Sequence, residues 1–143
     1  MNFTKYQHEN CKVIIDARWA RFSCDLKVCM PIQKLRAIIL SQNGKIYIPI
    51  QDTPHFNFID NLVKGREDEK SLLVYKNYLL MHKDIINRES RVNDTKKLIN
   101  ELKKEEQKIY IVINKNGLIV DGVHRCCFLK SIGRKEIWCY VKK

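Results

Sequence analysis

Apolar positions along the chain follow two rhythms. Runs rich in Val and Ile occur at "CKVIIDARW" (11–19), "LKVCMPIQKLRAIIL" (26–40), "GKIYIPI" (44–50), "KIYIVIN" (108–114), "GLIVD" (117–121) and "KEIWCYVKK" (135–143), and they predict strands. Asn43-Gly44 marks a turn before the third run, and Lys115-Asn116-Gly117 joins the fourth and fifth tightly. Between them the period lengthens to that of helices. In "QDTPHFNFIDNLVKG", Asp52 or Thr53 can cap a helix, Pro54 suits its first position, and Phe58, Ile59, Leu62 and Val63 form one face up to Gly65. "REDEK" then reads as an exposed linker. "SLLVYKNYLLMHKDII" (71–86) carries a wide apolar stripe: Leu72, Tyr75 and Leu79 beside Val74, Tyr78 and Met81. "SRVNDTKKLINELKKEEQ" (90–107) predicts an amphipathic helix with Leu98, Ile99 and Leu102 inward. A last helix runs from Val123 to Ile132 and stops at Gly133.

Strands and helices interleave here without the regular alternation of a doubly wound sheet. The expected class is α+β, a compact mixed β-sheet with helices packed on it. At 143 residues, with 45% hydrophobic and 30% charged residues, one folded domain spanning 1–143 is expected. No apolar run approaches the roughly 18 residues of a membrane span. "MNFTKYQHENCK" lacks the apolar core of a signal peptide, so a cytoplasmic protein is the expectation.

Charge narrows the partners. The 27 Lys and Arg outnumber 16 Asp and Glu, giving a net charge of +11 that attracts anions in general: nucleic acid, nucleotides, phosphorylated metabolites or an acidic membrane. The cations are spread along the chain, and "NDTKKLINELKKEEQK" mixes both signs as a solvated helix face does. The six cysteines, Cys11, Cys24, Cys29, Cys126, Cys127 and Cys139, contain no C-x2-C pair and no histidine at zinc-finger spacing. They are expected as reduced thiols packed as small hydrophobes rather than as metal ligands.

The stretch "NGLIVDGVHRCCFLKSIG" (116–133) poses the chemical question. It places Asp121, Gly122, His124 and Arg125 where a strand passes into a helix. A helix N-terminus has unpaired N–H groups and about half a positive charge, so cations there are disfavoured unless an anion balances them. His124 and Arg125 beside those groups suit a phosphate or carboxylate, and Gly122 would let such a ligand approach the backbone. Asp121 either caps the helix or acts as a base toward a hydroxyl or near a nucleotide-bound metal. A bland alternative has Asp121-Gly122 as a plain turn, His124 hydrogen-bonded and Arg125 in solvent.

"GLIVDGVHRCCFLKSIGRKEIWCYV" resembles the signature of the ParB/sulfiredoxin superfamily: strand, Asp-Gly-x-His-Arg, helix, Gly, closing strand. The resemblance is continuous from about Ile109 to Val141, and "VCMPIQKLRAI" faintly resembles the family's first strand. It implies a single ParB/sulfiredoxin-like nucleotide-binding domain with a helical insertion around 54–106. It also implies that Gly122, His124 and Arg125 bind the phosphates of ATP or another nucleotide, with Asp121 near the reacting phosphate or its Mg2+. Members of the superfamily reduce a sulfinic cysteine, bind CTP and DNA, or phosphorylate free serine. The sulfiredoxin cysteine that precedes His-Arg is Val123 here, and the partition proteins' Gly-Glu-Arg-Arg is Gly122-Val123-His124-Arg125. The Asp-Gly-x-His-Arg form is most similar to the small-molecule kinase branch.

A second strand-to-helix junction, "IPIQDTPHFNFID", repeats the arrangement. If it faces the first across the sheet end, His55 or Asp52 would serve as a substrate-binding group or general base. Otherwise Asp52 and Thr53 only cap and His55 lies at the surface. The leading expectation is an ATP-dependent phosphotransferase acting on a small hydroxyl-bearing metabolite, with Asp121, His55 and Asp52 as catalytic candidates. Its rivals are a ParB-like nucleic-acid-binding or nuclease module, and a non-catalytic nucleotide sensor. Against the first rival, the sequence shows no evident recognition helix or aromatic-basic platform.

Overall fold

The computed structural model describes Phe3 and residues 24–81, 88–104 and 109–142. Six strands and four helices follow in the order β1 (Cys24–Pro31), β2 (Arg36–Ser41), β3 (Gly44–Ile48), α1 (Pro54–Val63), α2 (Glu69–Leu79), α3 (Arg88–Leu102), β4 (Tyr110–Ile113), β5 (Leu118–Asp121), α4 (Val123–Ser131) and β6 (Glu136–Lys142). The strands form one mixed sheet in the order β1-β6-β4-β5-β2-β3. Neighbours β2 and β5, and β4 and β6, run parallel; the other three pairs are antiparallel. The α+β class holds. The strand expected at 11–19 lies outside the described residues, as do the ends expected for the second and third helices at 82–86 and 105–107.

Alternation along the strands sorts the sheet into two faces. Val28, Met30, Ala37, Ile39, Ile111, Ile113, Ile119, Ile137, Cys139 and Val141 enter the main core, where Phe58, Ile59, Tyr75, Leu79, Val92, Ile99 and Phe128 come down from the helices. Burying each such large side chain contributes about 1.5–3 kcal/mol before conformational entropy opposes it. Val112 and Tyr140, with Tyr110 against them, make a small cluster apart from that core.

Local chemistry sets the helix ends. Thr53 caps α1: its Oγ1 accepts from the Phe56 N–H at 3.2 Å and donates to the Ile50 carbonyl at 2.8 Å. Asp68 caps α2, so Glu69 and Lys70 of the expected linker already belong to that helix. α4 closes at Gly133, whose φ of 88° suits glycine, with the Arg134 N–H reaching back to the Leu129 carbonyl at 2.9 Å. Asn114 Oδ1 accepts from the N–H groups of Asn116 and Leu118 and shapes the β4–β5 turn. The broad stripe expected on α2 narrows: Ser71, Tyr75 and Leu79 are buried, whereas Val74 is 49% exposed. That helix rests on the domain along a single seam.

α1 and α4 lie against each other. Ser131 donates to Asp60 Oδ1 at 2.7 Å, and Lys64 and Arg66 also close on that carboxylate, at 2.7 and 3.1 Å. Burial works to raise the Asp60 pKa, but the bonds from Lys64 and Ser131 and the nearby Arg66 charge leave it lowered overall. The starts of the two helices, both singled out by sequence, also meet, with the His55 and His124 rings 4.9 Å apart.

Candidate functional site

β5 ends at Asp121, Gly122 turns the chain at φ 111° in the N-cap position, where it offers no side chain, and α4 begins at Val123. Glycine is required here on two counts. The backbone is left-handed, and a Cβ at this position would meet Ile111 Cγ2 at 2.5 Å. The close approach expected for a ligand at Gly122 is therefore made, on the side a Cβ would occupy, by the neighbouring strand.

His124 does not stand at this helix start as a cation. Its Nε2 lies 3.0 Å from the Tyr75 hydroxyl, which lies 2.9 Å from Thr95 Oγ1, and Thr95 donates to the Arg91 carbonyl at 3.0 Å. With the Thr95 proton on that carbonyl, the chain runs in one direction. Tyr75 donates to Thr95 and accepts from His124 Nε2–H, leaving the lone pair on Nδ1. Burial, with the Arg91 and then the Arg125 charge, lowers the His124 pKa to about 4, and the Asp121 charge only partly opposes this. A neutral imidazole meets no penalty from the helix dipole, which removes half of the apparent conflict in "DGVHR".

The second junction arrives at the same place. His55, the second residue of α1, is only 6% exposed, so the surface position considered for it is excluded. Its ring centre is 4.9 Å from that of His124 and nearly perpendicular, with Tyr78 at 5.0 Å and Tyr75 at 5.5 Å. Tyr75 in turn stacks on Phe58 at 4.7 Å. Burial raises the pKa of both Tyr75 and Tyr78, so both phenols stay protonated donors at neutral pH. The two histidines thus meet. Asp52 does not join them: it is exposed and lines a cleft whose walls include neither His55 nor His124.

Charge at this end of the core comes from Arg125, half-buried on α4, and from Arg91, exposed on α3; Asp121 supplies the opposing sign. Sequence reading passed over Arg91 and Thr95, because a charged or hydroxyl residue on a solvated-looking helix has no signature of its own. Cys126 and Cys127 are fully buried, and burial pushes Cys127 up to about 12 and Cys126 well above the usual thiol range. Such thiols are inert at neutral pH and pack as small hydrophobes, as expected. Cys29 and Cys139 are also free thiols.

Among the described residues, no three His, Cys, Asp or Glu side chains are arranged to hold a metal ion, and no helix is long and apolar enough to cross a membrane. No protein-family model, no curated protein and no solved structure matches the chain.

Proposed function

We propose that the β5–α4 turn binds the phosphates of a nucleotide, ATP or a relative, and that the protein is a phosphotransferase acting on a small hydroxyl-bearing molecule. The observation that carries this reading is a helix start with glycine at its N-cap, whose first turn lies within the field of two arginines, Arg91 and Arg125. Helix N-terminal N–H groups with flanking guanidinium groups are the usual furniture of a phosphate site. The resemblance of Asp121-Gly122-Val123-His124-Arg125 to the kinase branch of the ParB/sulfiredoxin superfamily points the same way.

In this reading Arg125 and the N–H groups of α4 hold the donor phosphates. Asp121, at the strand end, orients the acceptor hydroxyl and takes its proton. Asp121 would be the carboxylate toward a nucleotide-bound Mg2+, since such ions use one or two carboxylates and the phosphates themselves. When bound, the ion would offset charge on the transferring group. His124 serves from below as the neutral partner that ties α4 to Tyr75 of α2. His55 packs on its ring rather than reaching solvent.

Purified protein incubated with ATP, Mg2+ and a panel of serine-like and sugar acceptors should release ADP only when an acceptor is present. Asp121→Asn should lower turnover about 100-fold or more while nucleotide affinity stays within a few-fold. Binding without turnover in the parent protein would favour the nucleotide sensor. No calorimetric heat with ATP or CTP at millimolar concentration would end the nucleotide reading.

One observation favours the nucleic-acid rival more than the sequence alone did. The Lys27 ammonium sits 4.8 Å from the Tyr110 ring centre and 4.7 Å from that of Trp138, a small basic-aromatic group. Affinity for single-stranded oligonucleotides that falls steeply with salt and is lost in Trp138→Ala would support it.

A further inference from the structure

β3 closes one side of the sheet, and its outer edge pairs with nothing among the described residues. Its residues are unusually apolar for such a position: Ile46 is 42% and Tyr47 57% exposed. Natural sheet edges are commonly guarded by proline, a bulge, inward charge or a covering element, because a row of open N–H and C=O groups invites another strand. Lys45, near one end of β3, is its one charged guard; residues 44–48 include no proline, and the β2–β3 register runs without a bulge from Ala37–Ile48 to Ser41–Gly44.

Beside this edge lies a cleft of about 640 Å³. Ile39, Ile46 and Ile48 form its floor, and Val74 of α2, itself 49% exposed, stands over it. An added strand pairing with β3 would send every second side chain into this space. The cleft also has a charge preference. Asp52 and Asp68 line it, and Glu67 and Glu69 flank Asp68 in sequence, while the nearby Lys64 and Arg66 turn toward Asp60. Lys70 is the cation among the lining residues. On a chain with net charge +11 this is a local reversal of sign.

We propose that the outer edge of β3 is a docking site for an extended peptide segment of another protein, which adds to the sheet as a further strand. Its inward positions carry apolar side chains with Lys or Arg among them. Main-chain bonds to β3 supply affinity; the isoleucine floor and the Asp52 and Asp68 carboxylates supply selectivity. A second copy of this chain is a poorer occupant, because it brings the same net positive charge. This inference is independent of the reading of the β5–α4 turn.

A phage-displayed library of random dodecapeptides, selected on the full chain and counter-selected on Ile46→Lys, tests the proposal. Sequences with alternating apolar residues and Lys or Arg should be enriched. The best synthetic peptide should bind at least ten-fold more weakly to Ile46→Lys and to Val74→Lys, both at exposed positions, and more weakly to Asp52→Lys. N-methylation of alternate peptide residues should abolish binding in one register and spare it in the other. Enrichment of acidic or helical sequences, or of none that survive counter-selection, would overturn the proposal. So would a concentration-dependent dimer in sedimentation that Ile46→Lys abolishes, since it would place a second copy on the edge.

Discussion

His124 sits in the first turn of α4 as a neutral ring, and this has a measurable consequence. Its pKa in the folded chain is lowered to about 4, below the usual 6.5. The unfolded chain therefore takes up a proton between pH 6.5 and 4 that the folded one refuses. The resulting stability is fully present above pH 6.5, is lost as pH falls toward 4, and changes no further below that. Its size is about 3 kcal/mol at most, smaller to the extent that solvent reaches the ring. Urea unfolding of the parent and of His124→Gln at pH 7.5, 5.5 and 4 should show the parent losing more stability than the variant across that interval. Parallel pH profiles would mean that His124 titrates normally and that burial and the Arg91 and Arg125 charges do not hold it neutral.

At the scale of elements, punctuation was more legible than faces. Thr53-Pro54 before α1, Gly65 and Gly133 after α1 and α4, and Asn43-Gly44 before β3 each stand where local backbone chemistry requires such residues, and the elements begin and end there. The helix faces were less legible, because periodicity counts apolar residues without knowing how much sheet lies beneath them. Val74 on α2 thus lies at the surface, whereas Ser71 is buried against Asn61, whose Nδ2 donates to its hydroxyl at 3.1 Å. The site was half legible. The similarity of the two strand-to-helix junctions was legible, but not whether they face each other; the packing of α1 on α4 sets His55 against His124. What no local pattern could reveal was the chain from His124 through Tyr75 and Thr95 to α3, which depends on how three helices assemble. Thr53 is the element-scale test, since it caps α1 and lies 3.7 Å from Cys127 of α4. Thr53→Ala should cost about 1–2 kcal/mol of unfolding free energy by chemical denaturation. A change near zero would mean that Pro54 and tertiary packing set the helix start without the cap.

Across the whole molecule, chemistry and charge separate by location. One end of the core gathers two arginines, two histidines and a helix start with glycine at its N-cap, on a chain of net charge +11. The exposed β3 edge carries instead a local excess of carboxylates over an apolar cleft. An anionic small molecule and a basic peptide would thus be drawn to different parts of the surface. The first of these attractions is the central claim, and backbone amide NMR shifts during titration with ATP and Mg2+ test it most directly. Shifts should appear first and largest at Val123, His124 and Arg125, saturate with added nucleotide, and weaken at least ten-fold in affinity in Arg125→Gln. Saturating shifts centred elsewhere, or none at millimolar ATP and CTP, would contradict the claim.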